Sequence, residues 1–392
     1  MLVLRNCKFV KVLTEGYSDE CGDVLLNNGK IEAIKPCGTD FGAECEEMDL
    51  AGKTLMPGLI DMHIHLFMTD NNYAAYINQP EAEQTINVLR FAQKLLDFGY
   101  TTVRDCGDGH AWATLHVMKA VDAGKVVGPT IIPCGPILCP TAERTSDFLL
   151  TRIDGPYDTR QKAREAIRKG AKFIKLYGSA SMNSLVGEPG HPIIEKDELT
   201  EAVNVANQYN TYVSIHSHGA TAIDNAVRCG VRSIEHASLI KDETIEYIKE
   251  HAPETGIVPT LWVIHNNITP DKTGPLADKV RGLYKTVCEC LNKAYKAGLK
   301  IGWGTDVRLT DYEAAPETEF KLRKEDLKYA DEDIIKQATI NSAKLLGMDD
   351  KIGTVKEGKL ADLIVVDGDP SNDISVMYNV PLHVIKGGKV IR

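Results

Sequence analysis

The sequence predicts an α/β fold, a (β/α)8 TIM barrel carrying a small β-sandwich domain formed from both termini. Three observations point there. The chain has 392 residues, more than one small module and fewer than three ordinary domains require. Over residues 57–350, short apolar runs alternate with amphipathic helical stretches, and eight such runs can be counted. Both ends, residues 1–56 and 351–392, are instead written in short β segments broken by turns.

The amino-terminal segments are MLVLRN, KFVKVL, DVLLNNGKIEAIKP with an Asn-Asn-Gly turn, and EMDLAGKTLMPG. The style returns at the other end in GTVKEGKLADLIVVDGDP and LHVIKGGKVIR. Between them the apolar runs are LIDMHIHLF (59–67), YTTVRD (100–105), TIIPCG (130–135), KFIKLYG (172–178), YVSIHS (212–217), RSIEHAS (232–238), GIVPTLWV (256–263) and KIGWGTD (300–306). Helical stretches such as INVLRFAQKLLDFG, TRQKAREAIRKGA and KDELTEAVNVANQYN separate them, most closed by Gly or Asn. An open doubly wound sheet would carry a Gly-rich phosphate loop after its first strand, and no G-x-G-x-x-G or P-loop occurs.

Composition narrows the function. Forty-five basic against 55 acidic residues give a net charge of −10, so the positive field that nucleic-acid or anionic-membrane binding relies on is missing. No window holds 18 uninterrupted apolar residues, and the start has neither a proper apolar signal core nor a small-residue cleavage site. The ten cysteines form no C-x-x-C pair and read as reduced thiols of a cytoplasmic protein. Of the 11 histidines, His63, His65, His216, His218 and His236 fall in three tight groups.

In a barrel of this kind the chemistry sits at the C-terminal ends of the strands. Ligand-type residues stand there in six places: His63 and His65 in the first run, Lys175 in the fourth, His216 in the fifth, His236 in the sixth and Asp306 in the eighth. His63 and His65, two apart on a strand, share a face and can bind one metal.

The string MPGLIDMHIHLF resembles the first-strand signature of the amidohydrolase superfamily of metal-dependent barrel hydrolases. TTVRD, FIK, SIHSHG, SIEHA, GTD and GKLADL follow in that family's order, so the resemblance covers essentially the whole chain. It is nearest to the imidazolonepropionase-like and Xaa-Pro dipeptidase-like branch, whose members resemble dipeptidases, carboxypeptidases acting on Xaa-Arg or Xaa-Lys, and an amidase of a mycotoxin.

The resemblance implies two divalent metals, with zinc as the expected ion. His63, His65 and Asp306 would hold the first, His216 and His236 would complete the shell of the second, and a carboxylated Lys175 would bridge them. A cationic lysine cannot bind zinc, but a neutral one can take up CO₂ and present two anionic oxygens. A hydroxide between the metals would attack an amide carbonyl of a small molecule, dipeptide or N-acyl amino acid, with Asp306 shuttling the proton to the leaving nitrogen. Residues alone do not say which of His216 and His218 is the ligand; the family's fifth-strand ligand aligns with His216.

Substrate contacts are expected from His218, Tyr177, Arg144 and His110, and from the segments 139–151, 178–192 and 307–319. Tyr177 can also fill space between helices. Arg144 lies where related dipeptidases carry a Gly-Gly-His stretch, here ILCPTAERTSDF, and could receive a substrate carboxylate. Arg104 and Asp105 are expected to form a buried ion pair, Glu235 to point away from the rim, and Trp303 to be core.

A deaminase on the same barrel would place a glutamate at position 219, which is Gly219 here. Lactonase or phosphotriesterase activity shares the metal centre, and a scaffold protein would have lost ligands that are all present. No nucleic acid or membrane is expected as partner, and homo-oligomerisation is left open.

Overall fold

A computed structural model describes residues 1–42, 44–69, 76, 79–141, 149–182 and 189–392. Strands from both chain ends share one eight-stranded sheet. Thr54–Pro57 is the seam: it runs parallel to Leu2–Phe9 on one side and antiparallel to Leu363–Val366 on the other. One apolar cluster, including Leu4, Val24, Ile31, Leu55, Leu363 and Val365, belongs to this sheet alone. The Asn-Asn-Gly turn forms as expected. Asn27 pairs with Lys30, and the two residues between, Asn28 and Gly29, have φ of 48° and 77°, the mirror-image turn that matches strand twist.

Each of the eight apolar runs contains a parallel strand. These are Leu59–Ile64, Tyr100–Asp105, Thr130–Pro133, Ile174–Tyr177, Val213–Ser217, Ser233–His236, Gly256–Val258 and Lys300–Ile301. The first three pair as one sheet and the other five belong to a second. Backbone hydrogen bonds connect the two sheets at both edges. Met62 N donates to Trp303 O at 2.8 Å and Asp306 N to His63 O at 2.7 Å on one side, and Lys172 N donates to Pro133 O at 2.8 Å on the other.

Two features differ from expectation. Ile137–Pro140 and Leu150–Ile153 form a further parallel pair beside Ile174–Tyr177, in a stretch that reads as loop because it is short and interrupted. The seventh run stops being a strand at Val258, since Pro259 cannot donate to a ladder. Leu261–His265 then turns into a short helix, so the Leu-Trp-Val that looks like strand lies beyond the strand end.

Trp303 is fully buried, packed on Phe320 at 4.2 Å and under the Arg323 guanidinium at 4.5 Å, as core. Arg323 donates to Gly302 O and Pro259 O and pairs with Glu319, whose other oxygen accepts from Trp262 N at 2.8 Å. This buried knot fixes the ends of the last two strands and the start of the 261–265 helix, three pieces that meet the site. Among the described residues, no helix is long and apolar enough to cross a membrane.

Candidate metal centre and its cavity

The strand ends open into a cavity of about 470 Å³ whose walls include His63, His65, Lys175, His216, His236 and Asp306. All six expected ligands therefore meet in one place. His218 and Tyr177 line it as well.

The H-x-H pair is set by its partners. His63 Nδ1 lies 2.7 Å from Glu235 Oε2. A carboxylate only accepts, so the proton is on Nδ1 and the Nε2 lone pair looks toward Asp306 Oδ1, 3.8 Å away. His65 likewise gives its Nδ1 proton to Gly107 O at 3.1 Å, and its Nε2 stands 3.5 Å from the same Asp306 oxygen. Two lone pairs and one carboxylate oxygen thus face a common point. Bonds of about 2.1 Å to a tetrahedral ion would separate ligand atoms by roughly 3.4 Å, so the spacing fits a metal.

On the other side, ligand nitrogens of His216, His218 and His236 all lie within 4.8 Å of one another. His236 Nε2 is 2.8 Å from His216 Nδ1, and His236 Nδ1 is 2.6 Å from Thr260 Oγ1. His218 Nδ1 is 2.8 Å from Ser238 Oγ. His216 Nε2 is buried and has no hydrogen-bond partner, a costly arrangement unless a ligand occupies it. Burial first, then the neighbouring imidazoles and Lys175, pushes His216 and His236 well below the ordinary histidine range. Burial likewise takes His65 to about 4 and His218 to about 3. Neutral imidazoles are the form that binds a cation.

Lys175 is 2% exposed. Its Nζ has no carboxylate within ion-pair distance among the described residues. Strand register sets Tyr177 beside His216, and their rings stack at 4.1 Å with 9° between planes. Tyr177 thus lines the cavity while also packing against the apolar core.

Glu235 departs from its expected place, and the backbone explains why. In a strand, neighbours alternate, so a rim-facing His236 predicts an outward Glu235. The alternation breaks because His236 and Ala237 take φ of 70° and 48°, left-handed values rare for residues with a Cβ. Glu235 keeps the inward position while the turned chain end carries the His236 imidazole over the rim. Asp306 has the same signature, φ 56°. Such conformations cost on the order of 1–3 kcal/mol each and gather at functional sites.

The Arg104–Asp105 pair is corrected too. Arg104 is fully buried and its Nη2 pairs with Glu235 Oε1 at 2.6 Å, while Asp105 accepts from Leu66 N and Gly107 N instead. Ser214 and Ser233 also donate to Glu235 Oε1. Burial alone would raise this carboxyl, yet the Arg104 guanidinium and His63 hold it far below the carboxylate range. A chain of contacts runs from Arg104 through Glu235 to His63.

That chain gives a first prediction. Glu235→Gln keeps the shape but removes the negative charge and one of the two accepting oxygens, so apparent metal affinity measured by chelator competition should fall about ten- to a hundredfold. A loss of unfolding stability with unchanged metal affinity would reduce Glu235 to a structural partner of Arg104.

His110 is exposed and lines a separate small cleft with Trp112 and Lys169, not the cavity. Arg144 lies outside the described residues. Of the three expected substrate segments, Leu149, Ser181, Met182, Val307, Arg308 and Asp311 reach the cavity. A fourth wall was not foreseen: Trp262, Val263, Ile264, Asn266, Asn267 and Lys272. Its apolar residues look like core in sequence, and only the strand break at Pro259 hints that they leave the barrel.

The comparisons with known proteins agree with this geometry. The amidohydrolase family profile matches residues 54–391. Ochratoxinase of Aspergillus niger is 30% identical over 373 residues, covering 86% of this chain and 75% of the relative. Imidazolonepropionase of Fusobacterium nucleatum subsp. nucleatum is 23% identical over 94% of this chain and 92% of the relative. Among solved structures, a prolidase complexed with N-methylphosphonate-L-proline superimposes with a TM-score of 0.87 at 28% identity, covering 100% of this chain and 99% of that one. The A. niger ochratoxinase structure gives a TM-score of 0.85 at 25% identity, covering 100% and 95%. The chain belongs to the amidohydrolase family.

Proposed function

We propose that the protein is a binuclear metal-dependent amidohydrolase that cuts the C–N bond of a small-molecule amide, a dipeptide or an N-acyl amino acid. The carrying observation is the meeting of two histidine groups, Lys175 and Asp306 in one cavity, with His216 Nε2 buried and unpartnered. His63, His65 and Asp306 would hold one divalent ion, His216 and His236 the other, and a carboxylated Lys175 both. Zinc suits a donor set of imidazole and carboxylate. Relatives named ochratoxinase and prolidase support amide substrates.

When bound, the ions supply an activated water and polarise the scissile carbonyl. The chain does the rest. The Asp306 carboxylate, beside the Nε2 atoms of His63 and His65, takes the proton from the attacking water and carries it to the leaving nitrogen, which departs as an amine. Glu235 and Gly107 O keep both imidazoles in the tautomer that offers Nε2. The apolar wall of Ile137, Leu149, Val263 and Ile264 excludes water from one side of the substrate.

We also infer that the two parallel sheets, bridged at both edges, close into a (β/α)8 barrel, with residues 57–350 as the hydrolase domain and 1–56 and 351–392 as the β domain. The cytoplasm remains the proposed compartment.

Deamination is disfavoured at a specific atom. A Cβ on Gly219 would sit 2.1 Å from Gly190 O, so the glutamate that would protonate a leaving ammonia has no space there. Gly219→Ala should cost about 1–3 kcal/mol by overpacking, visible as a lowered denaturant midpoint; an unchanged midpoint would show that the loop yields. A screen of N-acyl amino acids, dipeptides and cyclic amides with zinc-loaded protein tests the activity. Amine release from the amides is expected, whereas ammonia release from nucleobases with inert amides would overturn the reading.

A further inference from the structure

Far from the cavity in sequence and role, the antiparallel pair Cys21–Asn27 and Lys30–Lys35 ends in two cysteines. Asp23 stands opposite Lys35, Val24 opposite Ile34 and Leu25 opposite Ala33. Past Lys35 the chain leaves the ladder, and Cys37, in the turn that begins at Pro36, comes to lie beside Cys21, the first residue of the partner strand. The turn that follows Lys35 is tied to the neighbouring strand, because Asp23 Oδ2 accepts from Gly38 N at 2.8 Å and Thr39 N donates to Pro36 O at 3.2 Å. Both cysteines are exposed, whereas Cys7, Cys106, Cys134 and Cys139 are buried.

Directly opposed residues of an antiparallel pair have Cα atoms about 4.5 or 5.5 Å apart, depending on the pair type. A disulfide spans roughly 4.4–6.8 Å between Cα atoms, the scale on which such neighbouring strands approach. The two thiols face each other beside Tyr17, whose hydroxyl donates to Cys21 O at 3.0 Å.

We propose that Cys21 and Cys37 form a reversible cross-strand disulfide, a modification site whose co-reactant is a low-molecular-weight disulfide. The Cys21 thiolate attacks one sulfur of the small disulfide, forming a mixed disulfide and releasing one small thiol. The Cys37 thiolate then attacks the Cys21 sulfur, which forms the protein disulfide and releases the second small thiol. Two protein thiols lose two electrons and the small disulfide gains them; the two protein protons end on the released thiols. Burial and the Cys21 thiol push Cys37 above the ordinary cysteine range, so Cys21 attacks first and Cys37 is the resolving thiol. Reversible bonds of this kind suit a reducing compartment.

The test is to incubate the folded full chain with oxidised glutathione and map its cysteines by mass spectrometry without reduction. The expected result is a cross-linked peptide joining Cys21 and Cys37, two hydrogens lighter than the thiol form and reopened by excess reduced glutathione. Cys37→Ser should instead trap glutathione on Cys21. Both positions are exposed, and a circular dichroism spectrum matching the wild type confirms that the variant folds. Glutathione adducts on Cys21 or Cys37 of the wild type without a bond between them would overturn the proposal, as would recovery of both as thiols.

Discussion

Lys175→Ala should lose the second metal, retain at most one, and hydrolyse amides at about a thousandth of the wild-type rate or less. Lys175 sits in the cavity wall with both histidine groups, 2% exposed. As a carbamate it would present an anionic oxygen to each ion. Removing it takes away several kcal/mol of charge stabilisation, and each 1.36 kcal/mol is about tenfold in rate. The check is metal content per chain by elemental analysis beside turnover of the best amide from the substrate screen. A variant with both metals and full turnover would remove Lys175 from the mechanism.

Asp306→Asn should lower kcat by about a hundred- to ten-thousandfold, the usual worth of a positioned acid–base group, with a smaller change in KM. Asn is the informative replacement because of the backbone. Asp306 has φ 56°, where Asn is several-fold enriched and most residues are strained, so the variant removes the proton shuttle without adding conformational cost. Ala at the same position would mix lost chemistry with lost geometry. Steady-state kinetics on protein whose metal content has been measured separates the two; unchanged kcat would assign the proton transfer to another group.

The parallel core was legible because strands covered on both faces read as near-continuous apolar runs, and each of the eight runs holds one. The six ligand-type residues stood out because polar groups interrupt those runs at their ends. What stayed hidden depends on backbone turns and on distant partners. Alternation places Glu235 outward, and only the left-handed φ of His236 and Ala237 lets both Glu235 and His236 face inward. Arg104 beside Asp105 suggests a local pair, yet its partner is 131 residues away. The 261–272 wall is written in residues that fit a core equally well. His110 lines a separate cleft; a histidine in a glycine-rich loop carries no information about which way the loop leads.

Metal stoichiometry of the gently purified wild-type protein tests the central claim most directly. Elemental analysis should find two divalent ions per folded chain, with one or none left after Lys175→Ala. A folded, monodisperse protein without metal, and unable to take up zinc, would contradict the account.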